Sequence, residues 1–206
     1  MLVVLLLALM APSPFAQEVQ HAYAHQEADT LRTLLSRAES RSDSLLVRYR
    51  LYPISEDASL LDNLPSELPD GSAREQALLS GLWSYRAGEA SILNAVQYGR
   101  RSANILERAR EQDPDDPYVL LIEGQSLLFR PAIAGRDPST AAARFDRLAT
   151  LADTTVGITE MEAQVWQWLA LREAGQRDAA KRLHERLLNQ TPPPLYRQFL
   201  DDPPEV

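Results

Sequence analysis

From Glu18 onward apolar residues recur every three or four positions, as in Leu31, Leu34, Leu35 and Ala38, and no sustained run alternates apolar with polar residues. That spacing is the signature of helices with one buried face, and the missing alternation argues against a sheet. The pattern predicts an all-α chain with helices over 18–38, 42–52, 72–87, 90–111, 117–130, 138–152, 159–174 and 177–190. Start signals agree with it. Ser72 with Glu75 and Thr159 with Glu162 have the spacing of capping boxes, and Asp116-Pro117 and Asp137-Pro138 pair a capping carboxylate with a proline preset for the first turn. Stops are expected at Gly88, Gly135 and Gly175, where glycine can take left-handed backbone, and at Pro192-Pro193-Pro194.

Between the second and third helices, Pro53 to Gly71 reads as an irregular stretch that Pro65 and Pro69 keep from being helical, while Leu60, Leu61 and Leu64 anchor it as a packed loop. The segment 193–206 reads as a tail rich in proline and acid, with Leu195, Tyr196, Phe199 and Leu200 available to dock on the last helices. At the other end Met1 to Ala11 is an uncharged apolar run closed by Pro12, too short for a membrane span and suited to the core of an export signal. Cleavage after Ala16 is expected, giving a signal peptide over 1–16 and an exported protein, periplasmic or secreted. No basic residue precedes the run, and Pro14 is a poor partner for the cut.

The 206 residues are 45% apolar and 24% charged, which fits a globular chain with one core rather than a disordered one. About 190 residues after the signal bury enough surface to need no metal or disulfide. The chain has no Cys, so attachment of lipid through an N-terminal cysteine is ruled out. Its net charge of -8 repels nucleic-acid phosphates and makes nucleic acid an unexpected partner.

Consecutive helix pairs carry a degenerate internal repeat. Ser102-Leu106-Ala109 precedes Pro114, Ala141-Phe145-Leu148 precedes Asp153, and Ala180-His184-Leu187 precedes Pro192. This spacing resembles the second helix of the tetratricopeptide repeat, a helix pair of about 34 residues. Gly81 and Gly124 stand where that family places its small residue of close helix approach, with Tyr85 and Leu127 near its large position and Trp168 at the small position of the third copy. Two copies carry extra residues, about nine around Gly88 to Gln97 and about five in Arg130 to Asp137. The run Pro131 to Asp137 followed by Ala141, Ala142 and Phe145 is similar to a signature of exported bacterial proteins of this type with one enlarged hairpin turn. The resemblance covers roughly 73–192. It implies hairpins stacked as a short right-handed solenoid over 72–192, capped by 17–71, with the first helices of successive pairs lining a concave face. Transferred to this chain, that face holds Glu75, Leu78, Leu82, Tyr85 and Arg86, then Tyr118, Leu121, Gln125, Leu128 and Phe129, then Glu162, Val165, Leu169, Arg172 and Glu173. Of these, Glu75, Tyr85, Arg86, Tyr118, Gln125, Phe129 and Arg172 are the candidate binding residues, the aromatics and arginines because such side chains dominate hot spots.

Candidates for chemistry are few. Glu18, His21, His25 and Asp29 would share a face of one continuous helix, the sole arrangement suggesting a divalent metal. His184 falls at a helix seam, where a packed histidine is expected. Gly124-Gln125-Ser126 continues as Leu127-Leu128 inside a helix, so it is no nucleophile elbow. The glycines are scattered, without a phosphate loop, and Arg100-Arg101 beside Tyr98 is too little for a nucleic-acid platform. Trp166 and Trp168 lie about 160° apart around a helix and must face opposite sides. The reading that follows is a noncatalytic exported scaffold binding another envelope protein or peptide, with no cofactor and no metal. The alternative is a small-ligand carrier accessory to a transport system, for which a cavity lined by Tyr85, Phe129 or a Trp would speak.

Overall fold

The computed structural model describes residues 14–152 and 157–206 and is all-α, without a strand among the described residues. Its helices are α1 (Pro14–Ala24), α2 (Ala28–Ser36), α3 (Arg41–Ser55), α4 (Ala73–Gly88), α5 (Ile92–Gln112), α6 (Pro117–Phe129), α7 (Pro138–Leu151), α8 (Glu160–Glu173), α9 (Arg177–Leu188) and α10 (Pro194–Asp201). Short 3-10 turns occupy Ala58–Leu61 and Ala132–Ala134. Residues 1–13 of the expected signal lie outside the described residues. The last residues assigned to that signal open α1, where Ala16 is buried.

Where starts depend on neighbouring side chains, they form as their residues predict. Ser72 and Glu75 make both bonds of a capping box, and Asp116 and Asp137 accept from the first free N–H groups of α6 and α7. Thr159 accepts from the Glu162 N–H, but the Glu162 carboxylate does not return to the cap, because an arginine from another helix takes it. Three further expectations are corrected. The helix over 18–38 is broken into α1 and α2 by Gln26, whose φ of 59° lets the Gln26 and Glu27 N–H groups close on Tyr23 and Ala22. Gly88 does not take left-handed backbone: α4 ends through Glu89 in right-handed geometry, whereas Gly175, with φ 72°, does turn the chain, and Gly135, with φ 85°, closes the second 3-10 turn rather than α6. The helix expected to stop at 52 runs through Pro53 to Ser55, because a proline in the last turn forfeits only one bond before Glu56 closes the end at φ 51°.

Side-chain pairs set the packing. Gln76 meets Gln112 and Trp83 meets Tyr98, so α4 and α5 are antiparallel; Asp115 meets Arg147 and Glu123 meets Arg144, so α6 and α7 are too. Arg74 pairs with Asp116, and a Cβ on Gly81 would lie 3.3 Å from Ile122, so α4 and α6 run side by side in the same direction. Two glycines permit close approach. A Cβ on Gly124 would fall 2.5 Å from the Phe145 ring of α7, and one on Gly81 would fall 2.7 Å from Tyr49, so the tight neighbour of Gly81 is α3 rather than α5. Trp166 packs on Phe145 and Phe199 while Trp168 stacks on His184, one to each side of α8. Within 53–71, Leu60, Leu61, Leu64 and Leu68 are buried, and the Pro65 carbonyl accepts from Trp83. The tail is not merely a loop. Its α10 buries Tyr196 and Leu200 and returns to α1, where Gln20 donates to Tyr196, while Gln26 in the break beyond α1 donates to Gln198. The N- and C-terminal segments thus close on one another, and α10 also packs on α8 and α9.

Candidate functional site

The residues expected on a concave face are divided between the interior and the surface. Tyr118 is fully buried, with its hydroxyl donating to the Gly157 carbonyl at 3.1 Å. The Gln125 carbonyl accepts from the Tyr49 hydroxyl at 2.6 Å, and Tyr85 is half-buried and stacked against Tyr49 and Tyr52. These three come together because α3 lies over them. Glu75 is engaged by both the cap of α4 and Arg41, at 3.0 Å to each oxygen. Arg86 donates to the Leu61 carbonyl and lies over Trp83, and Arg172 pairs with Glu173 at 3.0 Å over Trp168. Phe129 is 43% exposed and meets Trp166 edge-on. Leu78, Leu82, Leu121, Leu128, Val165 and Leu169 are core. Tyr85, Tyr118 and Gln125 are therefore held under the chain's own third helix, and only Phe129 presents a large apolar surface to solvent.

What brings α3 there is an ion pair that the repeat pattern does not signal. Arg50 of α3, 1% exposed, forks onto both oxygens of Glu162 of α8, 0% exposed, and also donates to the Gly157 carbonyl. Its guanidinium lies 4.5 Å from the centroid of the Tyr23 ring and within 6 Å of those of Tyr49 and Tyr118. Burial is the largest single influence and opposes the Arg50 charge, but Glu162 together with Tyr118, Tyr23 and Tyr49 outweighs it and holds the group above its ordinary value, fully cationic. Desolvation pushes the Tyr23 hydroxyl up to about 12 and Tyr49, Tyr85 and Tyr118 upward as well, so all four stay neutral and protonated. The cluster consists of an acid–base pair, whose Arg50 Nε alone lacks a partner, and neutral phenols; it offers no free base at neutral pH.

The histidine cluster is dispersed by the break at Gln26. Asp29 moves to α2 and pairs with Arg32, Glu18 pairs with Arg37, and His25 lies against His21, its Nδ1 at 2.9 Å from the His21 carbonyl. Among the described residues no three histidines and carboxylates gather as metal ligands. Two cavities stand out, of about 560 Å³ between α7, α8 and α9 and about 440 Å³ beside α1 and α2, and neither has Tyr85, Phe129 or a Trp in its wall.

The surface carries a clearer feature. Among the described residues the large hydrophobics left exposed are Ile92 (84%), Leu93 (86%), Val96, Phe129 and Ile133 (99%). Ile92, Leu93 and Val96 lie on the first turns of α5 beyond the end of α4, while Phe129 and Ile133 flank the α6–α7 turn. Because α4 and α6 run in the same direction, their C-terminal ends, and hence both segments, sit at one end of the helix pairs. Ile92, Leu93, Val96 and Ile133 fall within the two stretches, around Gly88 to Gln97 and Arg130 to Asp137, expected from the sequence to hold extra residues, and Phe129 immediately precedes the second. Compared with known family models, curated proteins and solved structures, the chain matches none.

Proposed function

We propose that the chain is a noncatalytic, exported helical-repeat scaffold of tetratricopeptide-like type that docks another envelope protein through the end formed by Ile92, Leu93, Val96, Phe129 and Ile133. One observation carries this reading: every large hydrophobic exposed among the described residues lies on the first turns of α5 or at the α6–α7 connection, at one end of the helix pairs. Burying each of the aliphatic side chains is worth about 1.5–3 kcal/mol, which among the described residues is forgone at that end. Insertions in a repeat chain emerge on one edge, and that edge commonly binds. The concave residues contribute differently, since Tyr85, Tyr118 and Gln125 are occupied by α3 and serve to fix the scaffold's shape.

The test is affinity capture from a native envelope extract with the full chain, a Leu93→Glu, Ile133→Glu variant and a Tyr52→Phe control that removes only a buried-edge hydroxyl bond to Glu89. A partner retained by wild type and control and lost by the charged variant, with unchanged helical circular dichroism, supports docking at this end. Retention by the charged variant would move the binding surface elsewhere.

A further inference from the structure

Helix α8 has a second long face, opposite the one that Glu162, Val165 and Leu169 bury. Glu160, Gln164, Gln167 and Leu171, spaced by four, three and four, form the floor of the 560 Å³ groove, with Asp146, Ala149 and Thr150 of α7 as one wall. Ala179, Arg182, Leu183 and Arg186 of α9 make the other. The two acids lie on the floor and on the α7 wall, where Gln164 donates to Glu160 at 2.6 Å and Gln167 to Asp146 at 2.9 Å; these neutral amides orient the carboxylates and leave their charges in place. The cations of the lining stand apart on the α9 wall. On α9 the ion pair joins Lys181 to Glu185, and among the described residues neither Arg182 nor Arg186 has a hydrogen-bond or ion-pair partner. Most arginines of this chain are paired, stacked or bonded to a carbonyl; among the described residues Arg100 and Arg177 also lack a side-chain partner, but Arg182 and Arg186 are the two that line the groove.

We infer that this groove binds an extended, acidic segment of a partner protein, with two carboxylate side chains separated by one residue reaching Arg182 and Arg186. The spacing supports this occupant. Residues four apart on a helix are displaced by about 6 Å along its axis, and alternate residues of an extended chain by about 6.6 Å, so successive same-side carboxylates match the two guanidiniums. The floor from Glu160 to Leu171 is about 16 Å long, which an extended chain of about five residues covers. The intervening side chains point the other way, toward Ala149 and Thr150, and must be small. An arginine–carboxylate contact also gives the groove directional selection that a diffuse basic patch lacks.

Binding in this groove is independent of docking at the apolar end, and one set of titrations separates the two. A fluorescein-labelled Glu-Ala-Glu-Ala-Glu peptide and its isomer Glu-Glu-Glu-Ala-Ala are titrated into the full chain and followed by anisotropy. The alternating peptide is expected to bind saturably and at least about fivefold more tightly than the isomer, with affinity falling as salt rises. Arg182→Ala with Arg186→Ala should weaken it about tenfold or more, and Arg182→Glu with Arg186→Glu should transfer binding to Lys-Ala-Lys-Ala-Lys. Leu93→Glu with Ile133→Glu should leave it unchanged. Equal binding of the two isomers, indifference to the α9 substitutions, or no saturable binding up to about 1 mM peptide would each overturn the inference.

Discussion

Replacing Arg50 by Met should destabilise the fold more than any surface change, because the loss is not confined to one contact. The substitution strips Glu162 of both donors while leaving its carboxylate fully buried, and removes the cation that faces Tyr23, Tyr49 and Tyr118. The Gly157 carbonyl keeps its bond from Tyr118, so that acceptor remains satisfied. The largest cost comes from the unpaired buried charge, since breaking a buried ion pair costs about 3–5 kcal/mol. For a chain of this size that corresponds to a fall in Tm of roughly 6–20 °C. Glu162→Leu alone should cost a comparable amount by stranding Arg50. The double substitution Arg50→Met, Glu162→Leu should recover most of the loss, since a well-packed apolar pair of similar volume is often no less stable than the ions it replaces. Urea unfolding at pH 7, followed by circular dichroism and by Trp fluorescence, measures all four corners of the cycle. A cost below about 1 kcal/mol for Arg50→Met, or additivity of the two single changes, would refute the view that this pair seats α3 on α8.

Two further outcomes are expected. Gly124→Ala should destabilise by about 1–3 kcal/mol, since its Cβ would meet the Phe145 ring at 2.5 Å, whereas Gly99→Ala, with nothing within 4 Å, should stabilise by about 0.5–1 kcal/mol through helix propensity; equal effects in thermal melts would contradict a close approach of α7 at Gly124. Arg41, together with the Ser72 cap, holds Glu75 below the usual carboxylate range, and Thr140 does the same for Asp137. Lowered folded values mean that stability is present above the ordinary carboxylate range and lost as pH falls through them, while Asp116, raised by burial, works in the opposite sense. Tm should therefore drop between about pH 5 and 3, and less so in Glu75→Gln; an equal drop in that variant would remove Glu75 from the linkage.

The sequence by itself determined the helical class and most helix starts, because those depend on residues within one turn of each other. Ser72 with Glu75, and Asp116 and Asp137 before prolines, satisfy end-of-helix N–H groups whatever packs beyond them. It also marked two stretches with extra residues relative to the expected spacing, but the exposed Ile92 and Leu93 of α5 and Ile133 of the α6–α7 connection were ordinary helix-forming or loop residues until burial was known. The break at Gln26 carried no glycine or proline to announce it, and α10 was hidden behind a proline run whose last member starts the helix. The tertiary structure decided which faces remained open. Glu162 reads as one half of a capping box, and only the arrival of Arg50, distant in the chain, turns its carboxylate inward. Tyr85, Tyr118 and Gln125 read as a groove, and only the placement of α3 makes them interior. Helical periodicity reports that a face is buried or polar; what covers an apolar face, or leaves a polar one open between two neighbouring helices, is settled by long-range contacts that no local spacing encodes.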